Sequence, residues 1–82
     1  MRIQLRILDG TKAPILVVPS TTATNMGVVK RLIDSALKSV GIEERASSIL
    51  SDADMKLLKL QTSWVLTTKP VGSYFLEIGV GK

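Results

Sequence analysis

Six apolar positions, Met26, Val29, Ile33, Ala36, Leu37 and Val40, follow one another at steps of three, four, three, one and three residues. That spacing puts them on one face of a 3.6-residue period, with Lys30, Arg31, Asp34, Ser35, Lys38 and Ser39 on the other. Thr24 or Asn25 can accept a hydrogen bond from a first-turn amide, and Gly41 can take the left-handed conformation that ends a helix. The pattern predicts one amphipathic helix from Thr24 to Val40. A single helix cannot bury its stripe alone, so it needs a sheet. From Arg2 to Leu8 the pattern changes to strict alternation, Ile3, Leu5 and Ile7 against Arg2, Gln4 and Arg6, which predicts a half-buried strand. Asp9-Gly10 signals a hairpin, lengthened by Thr11 to Ala13. The β-branched run Ile15 to Val18 is the second strand. Pro14 and Pro19 bracket it, and since proline donates nothing to a ladder, the strand belongs at a sheet edge. Ser20 to Ala23 reads as a polar connection into the helix.

Past Gly41 the pattern is mixed. Ile42 to Leu50 reads either as a short helical turn or as an irregular crossing, and Ser51 to Asp54 as a polar turn. Met55 to Leu60 reads as a strand with mixed faces, Gln61 to Ser63 as a turn and Trp64 to Thr68 as a short strand. Lys69 to Ser73 breaks it. Tyr74 to Val80 is the last strand, with Tyr74, Leu76 and Ile78 on one face and Phe75, Glu77 and Gly79 on the other. The expected architecture is α+β: a mixed sheet of four or five strands packed on one main helix, in the order ββαββ or ββαβββ. The first and last strands should pair in parallel at its centre, and the crossover carrying the helix should be right-handed. With 82 residues and 45% apolar composition the chain makes one small globular domain, spanning 1–82.

The order resembles the ubiquitin-like β-grasp superfamily. The likeness is carried by the opening strand and turn Arg2-Ile3-Gln4-Leu5-Arg6-Ile7-Leu8-Asp9-Gly10, by Val17-Val18-Pro19, and by Val28-Val29-Lys30-Arg31-Leu32-Ile33. Two branches are nearest. Trp64-Val65-Leu66 followed by Tyr74-Phe75-Leu76 is similar to the ubiquitin-like subdomain of FERM-type and Ras-association proteins. Chain length, Val18-Pro19 and Leu32-Ile33 are similar to the ubiquitin-like accessory protein of type VII secretion systems. Conjugating members end in two adjacent glycines; here Val80 separates Gly79 from Gly81 and Lys82 follows, so conjugation is not expected.

Composition narrows the chemistry. Histidine and cysteine are both absent, which removes the commonest general base, the commonest metal ligand and any thiolate. Glu43 and Glu44 are adjacent and point apart, which is a charged turn rather than a catalytic pair. Asp52 and Asp54 lack the glycine and the closing glutamate of a calcium loop. The glycines are too scattered to cradle phosphate. An enzyme is not expected, and neither a cofactor nor a metal. No apolar run is long enough to span a membrane, no secretory pattern opens the chain, and a cytoplasmic location is expected.

The net charge is +4, all of it in residues 1–41, where six basic side chains face two acidic ones; residues 42–82 balance at five against five. The plainer reading is a solvated surface. The sharper one is a positive face that steers an acidic partner. That points to a non-catalytic protein–protein interaction module, binding an acidic protein through the second-strand edge and the basic residues around it: Arg2, Arg6, Lys12, Ile15, Val17, Lys30 and Arg31. The resemblance implies a small GTPase or a larger assembly as partner. Two alternatives stand beside it, a small basic nucleic-acid or anionic-surface binder and a secretion accessory component. Nucleic acid is disfavoured because the aromatics Trp64, Tyr74 and Phe75 lie in the neutral half. Trp64 is read as partly packed on the core. Self-association through the second-strand edge is a further expectation.

Overall fold

The computed structural model describes residues 1–82. Strands β1 (Arg2–Leu8) and β2 (Pro14–Thr22) form one hairpin. Helices α1 (Met26–Ser39), α2 (Ala46–Ile49) and α3 (Asp52–Leu60) follow. Strands β3 (Val65–Val71) and β4 (Tyr74–Gly81) form a second hairpin. The single sheet has the order β2-β1-β4-β3, so β2 is an edge, as its prolines require. The outer strand of each hairpin is an edge, and the inner strands β1 and β4 meet at the centre.

That central pairing is antiparallel, Ile3 opposite Val80 and Ile7 opposite Leu76. The expected parallel centre and mixed sheet of a β-grasp are therefore corrected: every pairing is antiparallel. The reason lies between the hairpins. β2 leaves the sheet at the end where Thr21 faces Ile3, and β3 enters where Val65 faces Val80, beside the same Ile3. The chain departs and returns at one end because α1 carries it away and α3 brings it back. β3 then runs in the direction of β1, and its hairpin partner β4 opposes β1.

The return pass is helical where Met55 to Leu60 was expected as a strand. Ser51 caps it: the Asp54 N–H donates to Ser51 Oγ at 3.1 Å, and Asp54 Oδ2 accepts from the Ser51 N–H at 3.0 Å. This reciprocal box satisfies two amides at the start of α3. Ser51 to Asp54 is thus the cap and opening of a helix, not a free turn. The Asp54 carboxyl is held below its ordinary pKa, first by the Ser51 amide, then by the Ser51 hydroxyl, with Lys69 adding. A carboxylate lowered on folding stabilises fully above its ordinary range and loses that contribution as the pH falls through the lowered value. Ser51→Ala is expected to destabilise the domain by about 1 kcal/mol, or about 4–8 °C in Tm. An unchanged melting temperature would show that the box holds nothing.

Other boundaries move for local reasons. β2 runs through both prolines and on to Thr22, with bulges between Ile3 and Leu5 and between Ile7 and Leu8 of the β1 pairing. β3 continues through Lys69 and Pro70, so the predicted break shrinks to Gly72-Ser73. Gly72 has φ +61° and Ser73 is not left-handed, the type II′ turn that a two-residue hairpin favours. In the first hairpin the left-handed residue is Lys12 (φ +66°) rather than Gly10. Asp9 holds that loop: its Oδ1 accepts from the Thr11 N–H (2.8 Å), the Thr11 hydroxyl (2.6 Å) and the Ala13 N–H (2.9 Å). These bonds, the hydroxyl's foremost, keep the Asp9 carboxyl below its usual range.

α1 matches its pattern. Asn25 caps it, accepting from the Val28 N–H at 3.0 Å, and Gly41 follows with φ +80°. Val29, Ile33, Ala36 and Leu37 are buried. They pack in one cluster with Ile3, Leu5 and Ile7 of β1, Leu76, Ile78 and Val80 of β4, and Met55 and Leu58 of α3. All three helices contribute to the layer over this face, and Asp34 joins two of them by accepting the Ala46 N–H at 2.7 Å.

Candidate functional site

The opposite face of the sheet carries no helix. Side chains alternate across a strand, so the partners of the buried residues define it. β1 contributes Arg2, Gln4, Arg6 and Leu8. β4 contributes Phe75, Glu77, Gly79 and Gly81 beside them, and β3 contributes Leu66, Thr68 and Pro70 beyond. On the other side, Ile15 and Val17 of β2 alternate with the more buried Leu16 and Val18. An antiparallel sheet with one solvated face normally shows polar residues there. This face instead exposes Ile15 (45%), Val17 (48%), Leu66 (60%) and, just before β3, Trp64 (46%).

Trp64 is half exposed because of what lies beneath it. Gly79 and Gly81 are buried, although they point to the open side. A Cβ built on Gly79 would collide with the indole at Cζ2 and stand 3.0 Å from Cε2, and one on Gly81 would stand 2.9 Å from the Trp64 Cα. The indole therefore lies across β4 on Gly79, and Gly81 lies against the Trp64 backbone. One side of the ring is packed against backbone and the rest meets solvent. Trp64, expected partly on the core, has its seat on the outer side of the sheet, and the glycines two apart in β4 are the signal for it.

The basic candidates divide between two layers. Arg2 and Arg6 project onto the open face. Arg6 is engaged by Glu77, with Nε to Oε1 at 2.8 Å and Nη2 to Oε2 at 3.2 Å. Arg2 donates from Nη2 to Ser20 Oγ of β2 at 3.1 Å, leaning over the edge strand. Lys12, in the hairpin loop, sits 5.4 Å from the Phe75 ring centroid, within cation–π range. Neither Arg2 nor Lys12 has an acidic side chain in salt-bridge range. Lys30 and Arg31 are exposed on α1, in the helical layer behind the sheet. The structure thus gathers Arg2, Arg6, Lys12, Ile15 and Val17 on and around one surface and sets Lys30 and Arg31 apart from it. It also brings Trp64 and Phe75 onto the face that carries Arg2 and Arg6, although the sequence separates them.

The register fixes the backbone at the edge. Val71 and Tyr74 flank a two-residue turn and are a hydrogen-bonded pair, so alternate residues of each ladder face each neighbour in turn. Followed across β4 and β1, this gives Leu5–Val18 and Ile7–Leu16 as bonded pairs. Ile15 and Val17 therefore turn their N–H and C=O groups, as well as their exposed side chains, away from β1.

Two hollows lie elsewhere. One, of about 550 Å³, is open and lined by Asp34, Lys38, Gly41, Ile42, Glu43, Glu44 and Arg45. Its carboxylates and cations are mixed, and Asp34 is already bonded to the Ala46 amide. The other, about 130 Å³, lies between α3 and β3 and is lined in part by Leu57, Thr67 and Lys69. No three acidic side chains converge as metal ligands, and no helix is long and apolar enough to cross a membrane. Comparison with protein-family models, with curated proteins and with solved structures finds no match to this chain.

Proposed function

We propose that this chain is a non-catalytic interaction module that accepts an extended, acidic polypeptide along β2. The observation that carries the reading is the edge at Ile15 and Val17: outward backbone donors and acceptors, two half-exposed apolar side chains, and Arg2 and Lys12 with no acidic group to answer them. An added strand bonds to the outward amides and lays alternate side chains on the open face, while its carboxylates meet the cations. The prolines and bulges limit that strand to a few residues.

The test uses a short peptide of alternating Glu and Val, titrated into the labelled protein and followed by amide NMR shifts. Perturbations are expected at Ile15 to Val18. Reversing both Arg2 and Lys12 to Glu is expected to weaken binding about tenfold, the sum of two exposed ion pairs of somewhat under 1 kcal/mol each. Shifts confined to other elements, or equal affinity in the double variant, would refute the reading.

A second reading, single-stranded nucleic acid, is supported by one finding: Trp64 shares its face with Arg2 and Arg6. A stacked base needs an exposed ring beside cations. Salt separates the two. Binding to an oligonucleotide across several phosphates falls steeply between about 50 and 200 mM salt, with a log–log slope of several units. Strand pairing held by two ion pairs responds far less. The exposed aliphatic residues Ile15 and Val17 favour the peptide.

A further inference from the structure

The sheet has a second edge, and it differs from the first. β2 carries a bulge near each end of its pairing, and prolines flank its outward donors. β3 pairs with β4 in unbroken register from Val65 to Val71. By the same alternation, Leu66, Thr68 and Pro70 turn their backbone groups outward, and Pro70, which has no N–H, costs the β4 ladder nothing. Of the usual guards of an edge strand, β3 has no bulge, and its one proline, Pro70, lies next to its end. The only charged side chain in β3 is Lys69, and Asp54 Oδ2 answers it at 3.3 Å.

This edge is also where exposed apolar surface collects. Of the seven large hydrophobic side chains most open to solvent, Leu57, Leu60, Trp64, Val65 and Leu66 belong to β3, its approach and α3. Leu57 lines the hollow with Thr67 and Lys69, and Leu60 is on the same side of α3 one turn on.

We infer that two copies of this chain associate through β3, antiparallel about a two-fold axis at Thr67. A second copy suits this edge because a two-fold sets each charge beside its own like, and here the one charge is already neutralised. The β2 edge, with Arg2 and Lys12, would repel its own copy. With the axis at Thr67, Leu66 and Thr68 exchange both bonds with Thr68 and Leu66 of the second copy. The Trp64 N–H meets the carbonyl of Pro70 of the second copy, while the indole keeps its seat over Gly79 on the other side of β3. Thr67 faces Thr67 of the second copy, a favoured cross-strand pair. The sheet becomes eight-stranded, and the α3 ridges bearing Leu57 and Leu60 flank the junction. The association leaves β2 free, so it stands or falls separately from the peptide reading.

Sedimentation equilibrium of the whole chain, run up to about 0.5 mM, is expected to show twice the 8.9 kDa monomer mass. Leu66→Lys and Thr68→Pro are each expected to return it to monomer, while Ile15→Lys leaves it dimeric. Should Thr68→Pro fail to fold by circular dichroism, Leu66→Lys decides. The chain has no cysteine, so Thr67→Cys supplies a single thiol, and mild oxidation is expected to convert the dimer to a covalent one. A monomer throughout the range, a dimer that survives Leu66→Lys, or one lost with Ile15→Lys would overturn the inference. A Thr67→Cys dimer that does not crosslink would overturn the placing of the axis.

Discussion

Leu37→Ala is expected to lower the melting temperature by about 10 °C or more and to leave much of the chain unfolded at 37 °C. Leu37 is fully buried, on the α1 stripe that packs over β1 and β4. Truncating such a leucine removes its transfer free energy and leaves a cavity, together about 2–5 kcal/mol. In a domain this small each kcal/mol is worth about 4–8 °C. Total stability is on the order of 5 kcal/mol, so one substitution can remove most of it. Ser35→Ala, on the exposed side of the same helix, is the control and should change the melt by little. Thermal and urea unfolding of both variants checks the claim. Equal stability of the two would mean that α1 does not rest on the sheet as described.

Gly79→Val has a less obvious sign, which makes it informative. Valine favours a strand over glycine by up to about 1 kcal/mol. Here its side chain would occupy the seat of the Trp64 indole, and the clash begins at Cβ. The ring must leave, taking its packing with it, at a cost of about 1–3 kcal/mol. A net loss of stability and a red shift of the single tryptophan's emission are therefore expected. In a double-mutant cycle with Trp64→Ala, the second substitution should cancel most of the penalty. A stabilised Gly79→Val with unchanged emission would place the indole elsewhere.

The parts of the fold that the sequence made legible are those with one period and one face. Ile3, Leu5 and Ile7, the α1 stripe, and Tyr74 to Val80 each repeat cleanly, and each is buried as its repeat requires. Met55, Leu57, Leu58 and Leu60 fit a helical step of three in the pairs 55/58 and 57/60 and alternation in the pairs 55/57 and 58/60, so their apolar pattern does not separate strand from helix. The information lay upstream, in Ser51 and Asp54, two polar residues whose bonds to each other's backbone start α3. Pro70 misled for a related reason. Proline breaks a strand only where its missing N–H was needed, and at position 70 that group would point away from β4. The sense of the central pairing was not legible in any strand, since it depends on the number of passes the chain makes between its hairpins.

The candidate surface was legible in part. Proline spacing marked β2 as an edge, and alternation put Arg2 and Arg6 on the uncovered side. Lys30 and Arg31 are near the second strand in sequence but belong to α1, and depth in a layered molecule is invisible to sequence distance. For the same reason the aromatics of one half and the cations of the other come to share a face.

The pairing of Arg2 with Gly81 has a kinetic consequence. Each hairpin closes over a short loop and is free to form early, but the seam between them joins the two extremes of the polypeptide. That contact has the largest sequence separation in the sheet, and such non-local pairing slows folding relative to a sheet built of hairpins alone. Any opening of that seam unpairs one side of both β1 and β4, the two strands that bring Ile3, Leu5, Ile7, Leu76, Ile78 and Val80 to the core.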